Sequence, residues 1–239
     1  MSSADTPRLA VLIDADNASA AMAKQLLEEV AKYGIATVKR AYGDWTTPQL
    51  ASWKSELHRY AIQPIQQFAY TRGKNSTDSA FIIDAMDLLY AGNLDGFCIV
   101  SSDSDFTRLA TRLRESGMVV FGLGEQKTPP AFIAACDKFI FFEVLKQDSS
   151  SGQPEPAITV PDVPPLEALL TAAIRETERE SGWSRLATVG GYLGKTHSSF
   201  DPRNYGYTKL GDLVRGQDYL EIRDVEISGV NHLEVRVRS

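Results

Sequence analysis

Short apolar runs alternate with segments of helical spacing through the first 146 residues of this 239-residue chain. The first run, Leu9–Ile13, contains no polar residue, as expected of a strand that is covered on both faces. Strands are predicted at 9–13, 36–42, 62–68, 97–101, 118–122 and 139–144, and helices at 19–33, 48–60, 77–90, 106–116 and 131–136. Strands and helices that alternate in this way form βαβ units, so we predict an α/β fold with a parallel sheet flanked by helices.

The composition changes at residues 147–163, which are rich in Ser, Pro and Gly. Such a segment buries too little apolar surface to order itself, so we predict a flexible linker between residues 1–146 and a second domain at 164–239. In that second domain, helices are predicted at 166–180, at 186–194 and from about 207, followed by strands at 219–227 and 232–237. Three helices followed by a two-stranded hairpin are typical of a small winged helix-turn-helix domain.

Carboxylates gather where two of the predicted strands end. Asp14 and Asp16 follow the first apolar run, and Asp103 and Asp105 follow the run that begins at Phe97. The carboxyl ends of neighbouring parallel strands lie at one edge of a sheet, which is where ligands bind. On the helix predicted at 77–90, Asp78 continues the apolar stripe, so its side chain is expected to point toward protein. Crowded carboxylates are unfavourable unless protons or cations compensate them.

Each of these acids taken alone is more typical of a helix cap or a turn residue than of a ligand. Their joint placement favours a site for Mg²⁺ or Mn²⁺, because both cations prefer hard oxygen ligands. Such a site suits hydrolysis of phosphodiester bonds, since divalent cations activate water and stabilise charge on the attacking and leaving oxygens. The sequence therefore predicts a metal-dependent hydrolase acting on phosphodiesters.

Other function classes find little support in the sequence. The chain has no GxxxxGK[ST] loop, and its three histidines form no recognisable catalytic triad. Cys98 and Cys136 belong to no CxxC pair, so we predict that both are core residues. The net charge of −6 does not exclude a nucleic-acid partner, because cations neutralise acids gathered in a metal site. The polar start and the lack of a long apolar run favour a cytoplasmic location, with no membrane partner.

Several motifs resemble those of the NYN family, whose members are nucleases with a PIN-like fold. The resemblance is to the bacterial branch of this family, which is described as LabA-like. The matching pieces are Leu12–Asn17, Lys74–Asp78 with Asp84 six residues further on, Ser101–Phe106 and Asp137–Ile140. The resemblance covers residues 8 to about 146 in the family's order. It implies a PIN-like sheet and a ribonuclease that depends on Mg²⁺ or Mn²⁺.

The resemblance also implies roles for particular residues. The implied metal ligands are Asp14, Asp78, Asp103 and Asp105, and Asn17, which would support Asp14, completes the implied catalytic set. Asp84 and Ser101 would lie behind the ligands and orient them. Asp16 stands where relatives differ, so its role stays open. Lys74 can meet a phosphate or lie in solvent, and Arg40 and Trp45 can contact RNA or pack within the protein.

The segment from 164 to 237 is similar to the LOTUS family, also called OST-HTH, most recognisably over Phe200–Leu213. The resemblance implies RNA binding, or binding of a protein partner in some eukaryotic members. Candidate RNA contacts are Lys195, Arg203, Tyr207, Lys209 and Arg215. From Pro164 onward the domain has ten basic and eleven acidic residues, and 10 − 11 gives −1, so a local patch must supply the attraction.

The sequence thus predicts a metal-dependent ribonuclease with an RNA-binding winged helix. Its main alternative is a non-catalytic RNA-binding or regulatory adaptor that retains the PIN-like fold. A third reading is a haloacid dehalogenase-type phosphatase with Asp14 as the nucleophile, but Lys74 is poorly placed for that chemistry. The RNA substrate, the number of metal ions and the oligomeric state stay open.

Overall fold

The computed structural model describes residues 6–68, 76–147, 165–227 and 229–238. The chain forms two compact units, residues 1–150 and 151–239. The predicted linker at 147–163 falls almost entirely outside the described residues, so the predicted domain boundaries stay a prediction.

The first unit contains a six-stranded sheet in which every neighbouring pair is parallel. Its strands are β1 (Arg8–Asp14), β2 (Ile35–Gly43), β3 (Gln63–Gln66), β4 (Gly96–Val100), β5 (Val119–Gly124) and β6 (Lys138–Phe141). They lie in the order β3-β2-β1-β4-β5-β6. The sheet is therefore extended in one direction from β1 to β3 and in the other from β4 to β6. The direction of strand addition reverses between β1 and β4. Open α/β sheets bind ligands in the crevice at such a reversal point, outside the carboxyl ends of the strands.

Helices flank this sheet, which confirms the predicted PIN-like α/β class. They are α1 (Ala23–Val30), α2 (Trp53–Arg59), α3 (Ser76–Tyr90), α4 (Thr107–Glu115), α5 (Pro130–Ala135) and α6 (Phe142–Gln147). Short 3-10 turns precede three of them, at Ala20–Met22, Pro48–Ser52 and Ser104–Phe106. The strand predicted at 139–144 is too long, because the chain passes into α6 at Phe142. An apolar run that is buried throughout carries no period by which strand and helix can be told apart.

Alternate side chains of β1 face opposite layers of the core. Leu9, Val11 and Ile13 join a buried cluster with Leu26 and Val30 of α1. On the α3 layer, the ring of Tyr42 lies 4.6 Å from that of Phe81, which lies 4.5 Å from that of Phe106. These aromatic contacts link β2, α3 and the start of α4.

Both cysteines are free and buried, as predicted. Burial raises the pKa of the Cys136 thiol to about 12, and it raises the pKa of Cys98 as well. A thiol in such surroundings stays protonated and unreactive near neutral pH. The two cysteines are thus part of the core.

The second unit has helices α7 (Leu166–Thr177), α8 (Leu186–Thr196) and α9 (Leu210–Arg215) and strands β7 (Ser184–Arg185), β8 (Leu220–Ile227) and β9 (Val230–Val237). The strands form an antiparallel sheet in the order β7-β9-β8. β7 was not predicted, because two residues are too few to show a pattern. The third helix begins at Leu210 rather than near Tyr207, because Gly206 takes a left-handed φ of 81° after the 3-10 turn at Pro202–Tyr205.

Over the described ranges, the helices lack the length and apolar character that crossing a membrane requires.

Candidate metal centre

Asp14 ends β1 and is only 1% exposed. Its Oδ2 accepts hydrogen bonds from Asn17 Nδ2 at 2.7 Å and from Ser101 Oγ at 2.8 Å. Its Oδ1 is buried and has no hydrogen-bond partner among the described residues. Burial raises the pKa of Asp14, and the bonds from Asn17 and Ser101 oppose that rise. One oxygen is thus fixed by protein donors, while the other remains an acceptor without a donor.

Asp103 and Asp105 lie on the 3-10 turn that follows β4. The backbone N–H of Asp103 donates to Ser101 Oγ at 3.1 Å, and Asp103 Oδ1 accepts from the backbone N–H of Asp105 at 2.9 Å. Asp103 therefore caps this turn. The cap uses one of the two carboxylate oxygens, so capping and cation binding at Asp103 are compatible.

Asp78 enters the same space from the first turn of α3. One carboxylate oxygen each from Asp78, Asp103 and Asp105 lies within 4.8 Å of the other two. Burial, followed by the negative charges of Asp14, Asp103, Asp105 and Asp16, raises the pKa of Asp78 to about 6. Acids from β1, α3 and the end of β4 thus share one electrostatic environment.

Asp84, six residues further along α3, has different surroundings. Its carboxylate accepts hydrogen bonds from the Arg40 guanidinium and from the Tyr42 hydroxyl, both on β2. Arg40 was predicted to contact RNA, but its side chain is only 24% exposed and forms an ion pair with Asp84. Burial and the neighbouring Asp84 raise the pKa of Tyr42. Arg40 thus anchors α3 to the sheet, and Asp84 is part of this anchor rather than of the acidic cluster.

The Arg40–Asp84–Tyr42 anchor includes a residue that the sequence analysis overlooked. That residue is Tyr42. A usable signal was its spacing from Arg40, because residues i and i+2 of a strand project from the same face. The spacing places both donors on one face of β2, but it does not identify Asp84 as their acceptor.

Two further predicted RNA contacts of the first unit have different outcomes. The indole Nε1 of Trp45 donates to the Ile65 carbonyl at 3.0 Å, and the ring packs against the core, so packing is the role that the contacts support. Lys74 lies outside the described residues, and its predicted contact stays a prediction.

The candidate contacts of the second unit divide in the same way. Arg203 donates from Nε and Nη2 to Asp201 at 3.0 and 2.9 Å, and its side chain is 13% exposed, so it stabilises the turn that precedes α9. Tyr207 is partly buried against the core of this unit. Arg215 lies 3.7 Å from Asp224. Lys195 and Lys209 are exposed, and within the described part of the chain neither forms an ion pair.

Models of known protein families match both units of the chain. The family model of the NYN domain matches residues 8–145, and that of the OST-HTH/LOTUS domain matches residues 163–231. NYN domains belong to a PIN-like nuclease family whose members typically depend on divalent metals, and OST-HTH/LOTUS domains bind RNA. A comparison with curated proteins found no match.

Among solved structures, a crystal structure of a protein of unknown function from Vibrio parahaemolyticus is similar to the chain, with a TM-score of 0.51 and 18% identity. The match covers 59% of this chain and 96% of that one, and it shows a shared fold. A solution structure of residues 175–257 of a Chromobacterium violaceum protein is 36% identical over 36% of this chain and 88% of that one, with a TM-score of 0.29. One from Nitrosomonas europaea is 30% identical over 38% and 90%, with a TM-score of 0.30.

The NYN match spans more than half of the chain and agrees with the parallel sheet and with the acids at its carboxyl edge. The protein therefore belongs to the NYN family and carries a C-terminal OST-HTH/LOTUS domain.

Proposed function

We propose that this protein is a ribonuclease that hydrolyses RNA phosphodiester bonds with the help of Mg²⁺ or Mn²⁺. The observation that carries the proposal is the group formed by Asp78, Asp103 and Asp105 at the carboxyl edge of the sheet, together with the charge of Asp14 that acts on Asp78. The NYN match supports a nuclease, and the OST-HTH/LOTUS match supports RNA as the polymer.

The acidic cluster has the chemistry that a divalent cation requires. One carboxylate oxygen each from Asp78, Asp103 and Asp105 lies within 4.8 Å of the other two, and such a group of hard oxygen ligands could hold a divalent cation. Asp14 Oδ1 is buried and has no hydrogen-bond donor among the described residues. We infer that these four carboxylates hold the cation.

A divalent cation bound here would promote deprotonation of water and stabilise negative charge on phosphate oxygens. The chain's own residues fix the geometry. Asn17 and Ser101 hold Asp14 in one orientation, and the capped turn after β4 holds Asp103. The Arg40–Asp84–Tyr42 anchor holds α3, and α3 carries Asp78. Water is the nucleophile, so no covalent intermediate with the protein forms.

In the OST-HTH domain, we propose that Lys195 and Lys209 contact RNA phosphates, since both are exposed. The ion pairs of Arg203 and Arg215 leave these lysines as the better candidates. RNA binding through these lysines should weaken as the salt concentration rises, because each phosphate contact releases counterions.

The direct test compares cleavage of labelled single-stranded and hairpin RNA in Mg²⁺, in Mn²⁺ and in EDTA. We expect cleavage in either cation and none in EDTA. Asp103→Asn is the informative variant, because Asn also caps helical turns and the fold should survive. Its cleavage rate should fall about a hundredfold or more. A wild-type protein that binds RNA without metal-dependent turnover would support the adaptor alternative, and an active Asp103→Asn variant would refute the site.

A further inference from the structure

A groove of about 520 Å³ opens at the segment that follows β1, which begins directly after Asp14. Its walls are the segment that follows β1 and the 3-10 turn that precedes α2. The polar residues that line it are Asp16, Ser19, Thr47, Gln49 and Ser52. The groove therefore offers one carboxylate, three hydroxyls and one amide to an occupant.

The floor of this groove is built from apolar residues that are fixed in place. Trp53 is 2% exposed, and its Nε1 donates to the Ala18 carbonyl at 3.3 Å, which joins the two walls. Leu50 packs closely over Gly43 at the end of β2, where a Cβ would lie 2.5 Å from Leu50 Cδ1 and 3.5 Å from Asp16 Oδ1. Gly43 thus allows the second wall to approach Asp16.

Asp16 connects the groove to the acidic cluster. It lies two residues beyond Asp14, and its negative charge contributes to the raised pKa of both Asp14 and Asp78. Asp16 therefore belongs both to the lining of the groove and to the electrostatic surroundings of Asp14 and Asp78.

The lining also indicates which part of a nucleotide fits. None of the described residues that line the groove is basic, and the one charged residue is an acid. A phosphate would be repelled from such a surface, whereas a neutral ribose presents hydroxyl groups that a carboxylate and hydroxyls can bind. A carboxylate offers about four acceptor positions, so Asp16 can accept a ribose hydroxyl in addition to its contacts within the protein.

We propose that this groove binds the ribose of the nucleotide next to the scissile phosphate, and that Asp16 accepts a hydrogen bond from its 2′-hydroxyl. The inference rests on the proposed ribonuclease function and adds a basis for the selection of RNA over DNA, because DNA lacks this donor. Asp16 is then a specificity residue, distinct from the four carboxylates proposed to hold the cation.

The test combines protein and substrate changes in one cycle. An RNA is compared with matched RNAs in which one ribose at a time, on either side of the mapped cleavage point, is replaced by deoxyribose. For the wild type, one replacement should lower kcat/KM about tenfold to a hundredfold, as expected when a hydrogen bond to a charged group is lost. For Asp16→Ala, the same replacement should change kcat/KM less than about twofold.

This design separates Asp16's contact with ribose from general effects on the site, because a loss of activity that is common to both substrates cancels in the ratio. Asp87→Asn, which removes a charge from an exposed position of α3, should keep the discrimination of the wild type. If the wild type and Asp16→Ala discriminate equally between the RNA and the deoxyribose-substituted RNA, the inference is overturned while the ribonuclease function stays intact. The inference is also overturned if the wild type cleaves RNA and no single deoxyribose lowers its kcat/KM.

If the wild type cleaves no RNA, the proposed ribonuclease function fails. The wild type and Asp16→Ala are then compared by their nucleic-acid affinities, measured by fluorescence anisotropy. Binding of the full chain to RNA and to DNA of the same sequence is measured for the wild type and Asp16→Ala. The OST-HTH domain contributes equally to both proteins, so it cancels. A smaller preference for RNA in Asp16→Ala supports the groove assignment, and an unchanged preference overturns it.

Discussion

Asp78 and Asp84 lie six residues apart on α3, and their surroundings are opposite. Asp84 receives a guanidinium from Arg40 and a hydroxyl from Tyr42, so its charge is compensated by the protein. Asp78 meets the like charges of Asp14, Asp16, Asp103 and Asp105, and burial together with this repulsion raises its pKa to about 6. The comparison separates two uses of a carboxylate. Asp84 stabilises the fold through its partners on β2, whereas Asp78 lies among other carboxylates, which supports the proposed cation site there.

The largest expected effect follows from removal of the Asp78 carboxylate. Asp78→Asn should lower metal-dependent RNA cleavage about a hundredfold or more, because it removes a charged oxygen from the proposed cation site. The measurement is the initial rate at increasing Mg²⁺ concentration, with circular dichroism to show that the fold is intact. Asp87→Asn is the matched control on the same helix and should cleave at the wild-type rate. Comparable rates for Asp78→Asn and Asp87→Asn would remove Asp78 from the site.

Removal of the compensated acid should affect stability instead. Asp84→Ala leaves the Arg40 guanidinium, which is 24% exposed, without its carboxylate, so the free energy of unfolding should fall by about 1–3 kcal/mol. Tyr42→Phe removes one hydrogen bond to Asp84 and should cost about 1 kcal/mol. Urea unfolding at pH 7 gives both values. An Asp84→Ala variant as stable as the wild type would show that α3 does not need this anchor.

The stability of the metal-free protein should depend on pH through Asp78, which further distinguishes Asp78 from Asp84. The pKa of Asp78 is about 6 in the folded state, whereas the unfolded state loses this proton near the ordinary carboxyl pKa of 3.8. Between these values the folded state binds more protons, so an increase in pH lowers the stability of the fold. Asp78→Asn removes this contribution. We expect the variant to gain stability relative to the wild type as the pH rises from about 4 to 7 in EDTA, measured by urea unfolding. A constant difference across this range would contradict the raised pKa.

The smallest effect is expected in the OST-HTH domain. Lys195→Ala and Lys209→Ala should each weaken RNA binding of the full chain and reduce the slope of log affinity against log salt by about one, if each lysine meets a phosphate. Anisotropy titrations at several salt concentrations provide the slopes. Lys24→Ala, on an exposed surface pair of α1, is a suitable control. A slope that does not change in either lysine variant would move RNA binding to another surface.

The alternation of apolar runs and helices was enough to predict the sheet. It also placed the acids that follow β1 and β4 at one edge, because carboxyl ends of adjacent parallel strands coincide. The apolar stripe of the predicted helix indicated that Asp78 points toward protein, the family resemblance implied that it is a ligand, and the structure brings it within 4.8 Å of Asp103 and Asp105. That these residues bind a metal stays a prediction.

The pairing of charged side chains was not predictable from the sequence. Arg40 lies 44 residues from Asp84 in the chain, and only the packing of α3 on β2 brings them together. Arg203, in contrast, pairs with Asp201 two residues away, and the sequence alone did not show that its side chain turns inward. Exposed basic residues and inwardly paired ones look the same in a sequence, because side-chain orientation depends on packing whether the partner is distant, as for Arg40, or local, as for Arg203.

The central proposal is that the clustered carboxylates of α3, β1 and the turn after β4 bind a divalent cation. The most direct measurement is a crystal of the protein soaked in Mn²⁺, with anomalous scattering used to locate the metal. The account predicts an anomalous peak bounded by Asp78, Asp103 and Asp105 on the side of Asp14 Oδ1, and no peak there in Asp78→Asn crystals. An ordered wild-type site without such a peak at a saturating Mn²⁺ concentration would contradict the claim.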